Sequence, residues 1–316
     1  MPLEIVFFNP EIYPEEFQKC LSQLEPMEIN IMGSKESCLE LFPHLTFNSF
    51  STLADYKHPL PLHAKLVSFI LPSRGRFTSL MESLTHLKEM AAQPEQMELL
   101  IGMDFDDLAS ISQLTCLKSL NLDILVFIRD RGKGYLDIYH LLNQLSGLSQ
   151  GEFLFFYTDD AEMKTLHWDQ YLKNYHNKVC VLRPEAGHPF NIFPICSRKL
   201  FEWMEHISAH NAADTWIEDI ADFLGFHLEC PPIQIAHHTH LKNDPLAPFI
   251  ESHQVDTYFQ PSMNQIRYED TQKIRIGIQK IIDGTRKADS EAYKDSLHLT
   301  AQFYGIKTYH LPLHFS

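Results

Sequence analysis

Four apolar runs constrain this chain more than any other feature: LVSFIL (66–71), MELLIGMD (97–104), LDILVFIRD (122–130) and EFLFFY (152–157). Their apolar cores are nearly continuous and rich in β-branched, leucine and aromatic side chains, the pattern of a strand buried on both faces. FTSLMESLTHLKEMAA follows the first run and YLDIYHLLNQLSGL the third, each with apolar positions at helical spacing. Strands and helices alternating in steps of this size predict an α/β fold: a mostly parallel central sheet flanked by helices.

In such a sheet ligands gather outside the carboxyl ends of the strands. Ser73, Arg74 and Arg76 follow the first run, and Asp104, Asp106 and Asp107 the second. Arg129, Arg131 and Lys133 follow the third, and Asp159, Asp160 and Glu162 the fourth. Four separate segments therefore bring charge to one rim. The stretch FLFFYTDDAEM (153–163) is the sharpest case, because a buried run opens directly into carboxylates. Charge there is costly unless something cationic meets it. Mg2+ or Mn2+ suits the role, since both take oxygen ligands and are often held by one or two carboxylates plus substrate phosphates. A turn with a helix N-cap also favours Asp, and that reading stays open for Asp159 or Asp160 taken singly. The convergence of four segments favours the metal.

Composition narrows the partners. The 316 residues are 44% hydrophobic and 21% charged, an ordinary globular balance. A net charge of −15 repels nucleic-acid backbones, and no basic patch offsets it. Six cysteines without CxxC spacing, behind an N-terminus (MPLEIVFFNPEIYPEEF) that lacks a secretory pattern, predict reduced thiols in a cytoplasmic protein. No run is long enough to predict a transmembrane segment. Three units are expected: an α/β extension over 1–60, a catalytic domain over 61–250, and a helical extension over 251–316. PSRGR lacks the Gly-Lys-Ser/Thr ending of a P-loop, and neither GxSxG nor HExxH occurs.

At this point the residues resemble a family. LVSFILPSRGRFTSLMESL looks like the opening of a family 2-type glycosyltransferase of the A fold, within the nucleotide-diphospho-sugar transferase superfamily. MELLIGMDFDD resembles its second strand with the acidic end, and LSQGEFLFFYTDDAEM the segment that carries the DxD-like motif. CSRKLFEWM resembles the acceptor-side segment, and ADTWIEDIADFLGF the acidic helix that begins with the catalytic base and ends at a glycine. The likeness spans about residues 65–240; each motif alone is weak, while their order and spacing are fairly specific.

The resemblance implies a hexosyltransferase-type enzyme, with a nucleotide-diphosphate sugar as donor and a glycan, lipid-linked or protein hydroxyl as acceptor. Mn2+ or Mg2+ is implied with it, and inversion is expected. Asp160 is implied as the metal ligand with Asp159 beside it, and Thr158 stands where the pattern usually has its first acid. Asp159 could instead touch ribose, and Glu162 could complete the metal site. Pro72, Ser73, Arg74 and Arg76 match the nucleotide loop; Asp104 and Asp106 match the acids that meet base and ribose. Arg131 and Lys133 could neutralise phosphate or form a solvated basic turn.

For the base, the family's spacing counted back from Gly225 lands on Asp214, with Glu218 and Asp219 as competitors and a plain N-cap as the structural reading. On a helix Asp214 and Glu218 share a face, and Asp219 is rotated away. HHTH (237–240) offers a further metal ligand; alternation puts His238 and His240 on one side and His237 on the other, and His238 and His240 are the ligands expected. Trp203 and Trp216 could stack on an acceptor sugar or belong to the core. Two other readings remain: a nucleotidyltransferase on a related sheet, and an inactive nucleotide-sugar-binding protein.

Overall fold

The computed structural model describes residues 3–8, 14–22, 29–32, 47–50, 64–238 and 257–288. The chain opens with β1 (Leu3–Phe8), α1 (Pro14–Leu21), β2 (Ile29–Met32) and β3 (Phe47–Phe50). The four apolar runs form β4 (Lys65–Pro72), β5 (Met97–Asp104), β6 (Asp123–Arg129) and β7 (Gly151–Phe156). Between them lie α2 (Phe77–Met90), α3 (Leu108–Ile111) and α4 (Ile138–Leu148). β8 (Ala161–Met163), α5 (Trp168–Leu172), β9 (Val181–Glu185), β10 (Ile195–Ser197) and α6 (Arg198–Met204) follow. α7 (Ala213–Leu224), β11 (His227–His237) and α8 (Pro261–Ala288) complete the described elements.

The eleven described strands form one sheet in the order β3-β2-β1-β6-β5-β4-β7-β10-β9-β11-β8. From β3 to β7 every pairing is parallel. Helices cover both faces, as the alternation of apolar runs predicts. β10 is antiparallel to β7 and β9, and β8 is antiparallel to β11, so the far edge is mixed. The N-terminal strands continue the same sheet: β1 pairs with β6 from Leu3 opposite Ile124 to Phe7 opposite Ile128.

The apolar runs are continuous because each strand feeds two cores. Phe69, Leu71, Phe153 and Phe155 face one side with Leu80, Leu84 and Trp168. Ile70, Leu154 and Phe156 face the other with Leu141, Leu145 and Trp216. Phe69 stacks on Phe155 at 4.9 Å and meets Trp168 edge-on at 5.4 Å. Trp216 is fully buried and its indole donates to Asp270 Oδ2 of α8 at 3.2 Å. It is a core residue that holds α8 in place. Trp203 packs, partly buried, against the same core.

Three strands escaped the sequence reading: β3, β8 and β10. β8 and β10 have three residues each, too few for any periodicity to register. β11 runs through Pro231 and Pro232, and its register against β9 shifts between Cys230 and Gln234, where those prolines fall. Among the described cysteines Cys20, Cys180, Cys196 and Cys230 are buried and free, and Cys116 is free and exposed. Cys38, the amphipathic run SKESCLELFPHL (34–45) and the connector YKHPLPLH (56–63) lie outside the described residues.

Strand order fixes where a ligand can sit. The chain moves from β4 to β5 to β6 in one direction, then returns to place β7 on the other flank of β4. Crossovers therefore leave on opposite faces at the β4–β7 seam, and a crevice opens at the carboxyl ends of those two strands.

Candidate active site

Side chains from both strands close on each other across that seam. Just past β4, the Ser73 hydroxyl donates to Asp159 Oδ2 at 2.8 Å, joining residues 86 apart in sequence. Arg76 reaches both carboxylates that follow β7: Nη2 lies 2.6 Å from Asp159 Oδ1, and Nη1 3.3 Å from Asp160 Oδ2. The first of these is an ion pair without an aligned hydrogen bond, so Asp159 Oδ1 is buried with no hydrogen-bond donor. Both aspartates are almost fully buried, whereas the Arg76 side chain is 40% exposed.

Arg74 turns the other way. It binds Asp104 Oδ2 at 2.8 Å and grips Asp106 through both terminal nitrogens, the longer bond being 2.7 Å. Pro72 ends β4 opposite Gly102. Asp107 is structural: it accepts the Gly75 N–H at 2.7 Å and caps the first turn of α3 through Ser110. Arg131 and Lys133 are exposed on the turn after β6, and Arg131 adds its charge to the field on Asp106.

These placements set the protonation chemistry. The Arg74 hydrogen bond holds Asp106 below its ordinary value, while burial pushes Asp104 up against the opposing pull of Arg74. Burial also raises Asp159, with Arg76 and Ser73 working against it. For Asp160 burial is outweighed by the His237 hydrogen bond, the Thr158 hydroxyl beside it, and the charges of His237 and Arg76; its carboxyl is held down at about 2.

The histidine at this carboxylate is His237. Its Nε2 lies 3.3 Å from Asp160 Oδ1, and its ring packs edge-on against Phe193 at 5.3 Å. The pairing of β8 with β11 sets His237 opposite Ala161. His238, the residue that strand alternation favoured, gives its backbone N–H to Asp160 O at 2.9 Å and turns its ring to Glu162 at 3.0 Å. His240 lies outside the described residues. Glu162 also meets Lys164 at 2.5 Å and His86 at 3.5 Å. A cleft of about 380 Å³ opens beside this cluster, lined by Ser79, Ser83, His86, Asp159, Asp160 and Glu162 among others.

Asp160 and His237 would hold a divalent cation as a pair; with Asp159 included, the ligand atoms do not all lie within 4.8 Å of one another. Asp160 and His237 supply an oxygen and a nitrogen side by side, while Asp159 Oδ1 is buried, accepts no aligned hydrogen bond and is held by the Arg76 ion pair. Two or three protein ligands, with the remaining positions left to substrate oxygens and water, is the usual manner for Mg2+ and related hard ions. Among the described residues one set of three potential ligands has its donor atoms within 4.8 Å of one another, and it lies elsewhere: Glu218, Asp222 and His227. There Asp222 is 62% exposed and Arg183 stands 3.7 Å from Glu218.

The three candidate bases on α7, Asp214, Glu218 and Asp219, have different surroundings. The helix is capped at Ala212, so Asp214 is its second residue rather than its N-cap, and Gly225 (φ 77°) ends it. Asp214 Oδ1 accepts the Thr215 N–H at 2.8 Å, and burial pushes its carboxyl up, with His188 opposing from nearby. Glu218 accepts the Asn191 N–H at 3.2 Å, and Asp219 accepts the Tyr258 hydroxyl at 2.7 Å. The segment between β9 and β10 thus acts on both places: the charge of His188 is felt at Asp214, and Phe193 packs on His237.

Neither a protein-family model nor a curated protein matches the chain. Among solved structures it is similar to a mannosyltransferase from Pyrobaculum calidifontis in complex with GDP-mannose and Mn2+, at 12% identity. That alignment covers 79% of this chain and 84% of the other, with a TM-score of 0.49. It is also similar to S. aureus TarS in complex with UDP, at 14% identity, 49% and 54% coverage and a TM-score of 0.41. Glucosyl-3-phosphoglycerate synthase from Mycobacterium tuberculosis, in complex with Mn2+, UDP and phosphoglyceric acid, matches at 11% identity, 63% and 84% coverage and a TM-score of 0.41.

Proposed function

We propose that this chain is a metal-dependent, inverting glycosyltransferase that moves a hexose from a nucleoside-diphosphate donor to a hydroxyl acceptor. One observation carries the reading: Ser73, Arg76, Asp159, Asp160 and His237 meet across the β4–β7 seam beside a cleft. Asp160 would hold Mn2+ or Mg2+ together with His237, with Asp159 beside them. The ion supplies positive charge where the departing diphosphate becomes negative.

The chain's own groups divide the remaining work. Ser73 and Arg74 would orient the nucleotide, with Asp104 and Asp106 meeting base and ribose. Arg76, on an exposed arm, is free to exchange its carboxylates for phosphate oxygens once a cation takes its place. Asp214 would take the acceptor proton. Its raised carboxyl is a better base than an ordinary aspartate, while Glu218 and Asp219 are engaged by Asn191 and Tyr258. Attack from the side of Asp214, away from the diphosphate, would invert the anomeric centre.

The catalytic unit would span residues 61–250, with 1–60 and 251–316 as extensions. We place the enzyme in the cytoplasm; no described helix is long and apolar enough to cross a membrane. Isothermal titration with UDP and GDP, with and without Mn2+, tests the reading. Binding of a diphosphate that strengthens with Mn2+ is expected. Binding of triphosphates alone would point to nucleotidyl transfer, and no binding at all would overturn the proposal.

A further inference from the structure

A second cavity, of about 310 Å³, opens between two walls far apart in sequence. Tyr139 comes from the start of α4, and His210 and Asn211 immediately precede Ala212, the N-cap of α7. The opposite wall is Thr257, Gln260 and Ser262, at and just before the start of α8. The walls are joined. His210 Nδ1 accepts the Ala212 N–H at 3.1 Å, which leaves the proton on Nε2 to reach Thr257 Oγ1 at 2.7 Å. The Tyr258 hydroxyl holds Asp219 of α7 at 2.7 Å.

Placement ties this cavity to sugar transfer. α4, α7 and α8 build the second core, whereas α2, which lines the carboxylate cleft, belongs to the first. Cleft and cavity therefore stand on opposite faces of the sheet. Asp214 stands in the first turn of α7, the helix that Asn211 leads into. An inverting displacement needs nucleophile and leaving group on opposite sides of the anomeric carbon. With the diphosphate at the cleft, the cavity is the place for the acceptor.

The lining names a chemical class. Among the described residues that line the cavity none is Asp, Glu, Lys or Arg, in a chain with a net charge of −15. His210, with Nδ1 an acceptor, carries no charge either. What the walls offer is the Tyr139 ring, the Gln260 carboxamide and the Thr257 and Ser262 hydroxyls. A hexose matches that set: its C–H face packs on an aromatic ring, and its hydroxyls donate and accept as carboxamides and hydroxyls do. A charged acceptor would enter with no partner for its charge. We propose that this cavity is the acceptor site and that the acceptor is an uncharged hexose, the terminal ring of a neutral glycan. The proposal rests on the transferase reading, and it gives the start of the C-terminal extension a part in substrate selection.

The test is a titration of the full chain, with Mg2+ and UDP or GDP present, with the methyl glycosides of glucose, galactose, mannose and N-acetylglucosamine. The side-chain amide signal of Gln260 and the backbone amide of Ser262 report binding. Saturable shifts with at least one glycoside are expected. Tyr139→Ala should weaken that binding by about tenfold, and Gln260→Ala by about fivefold, with diphosphate affinity unchanged in both. Gln260 is exposed, so its truncation should not disturb folding, and retained diphosphate binding verifies it. No shift with any of the four, or equal affinity in both variants, while diphosphate still binds, would overturn the acceptor site and leave the transferase reading standing. Glycoside binding without diphosphate binding would overturn the transferase reading and the acceptor role with it. Tighter binding of methyl glucuronoside than of methyl glucoside would overturn the assignment of a neutral acceptor.

Discussion

The two ends of the β4–β7 seam both bury carboxylates, and they do so for opposite purposes. At the amino end Glu98 is 3% exposed and accepts from the Ser68 hydroxyl, the Gln150 N–H and the Gly151 N–H. Arg198, equally buried, donates to Gly151 O at 2.6 Å and to Ser149. A Cβ on Gly151 would fall 2.5 Å from the Ser68 backbone nitrogen, so only glycine lets the strands close this tightly. These partners are backbone groups and buried side chains. At the carboxyl end the compensating cation is Arg76, on a side chain 40% exposed, and a cleft stands beside the acids. A buried charge whose partner sits on a movable arm can change partners; one locked in backbone hydrogen bonds cannot.

Variants at the two ends should therefore fail differently. Asp160→Asn should lower turnover by about a thousandfold while the protein stays folded, because it removes charge where negative charge develops. Glu98→Ala should instead destabilise the chain by about 1–3 kcal/mol by leaving the Ser68 hydroxyl and the Gln150 and Gly151 N–H groups without their buried acceptor, seen as a lower denaturation midpoint. If Asp160→Asn unfolds the protein and Glu98→Ala does not, the two ends have been assigned the wrong way round.

Asp214→Asn should cost about a hundredfold or more in kcat with donor affinity unchanged. A carboxyl raised by burial loses its charge at a higher pH than an ordinary aspartate. The acid limb of the pH–rate profile should accordingly lie above the usual aspartate value of 3.8. A limb at or below it removes Asp214 as base. The same sign predicts that Asp214→Asn does not lower stability at neutral pH, since a desolvated charge has been removed.

The two histidines sharpen the comparison further. His237→Ala should weaken Mn2+ binding by about tenfold, and His238→Ala should leave it unchanged, because His237 lies beside Asp160 and His238 turns to Glu162. The reverse result would reassign the ligand. The smallest effect is expected at Arg76. Arg76→Gln should cost the metal-free protein about 1 kcal/mol or less, since the pair is partly solvated, and should tighten Mn2+ binding by removing a competing cation.

How much of this the sequence contained follows from what each feature depends on. The four inner strands were legible because strands fed by two cores read as unbroken apolar runs, and the acids at their ends were legible with them. The helix that starts near Asp214 and stops at Gly225 was also plain, since its apolar spacing and glycine cap are local. Partnerships across the seam were not. Ser73 and Asp159 are 86 residues apart, and only strand order brings them together. His237 was passed over in favour of His238 because its direction is set by pairing between β11 and the three residues of β8, which no periodicity announces. The continuation of the sheet through β1 depends likewise on pairing with β6, more than a hundred residues away.

The most direct measurement is Mn2+ uptake followed by the electron paramagnetic resonance signal of the free ion, in the presence of UDP or GDP, for wild type, Asp160→Asn and Glu98→Gln. Uptake by wild type and by folded Glu98→Gln, with none by Asp160→Asn, is the predicted result. Undiminished uptake by folded Asp160→Asn would contradict the claim that the carboxyl end of the β4–β7 seam is a cation-dependent diphosphate site.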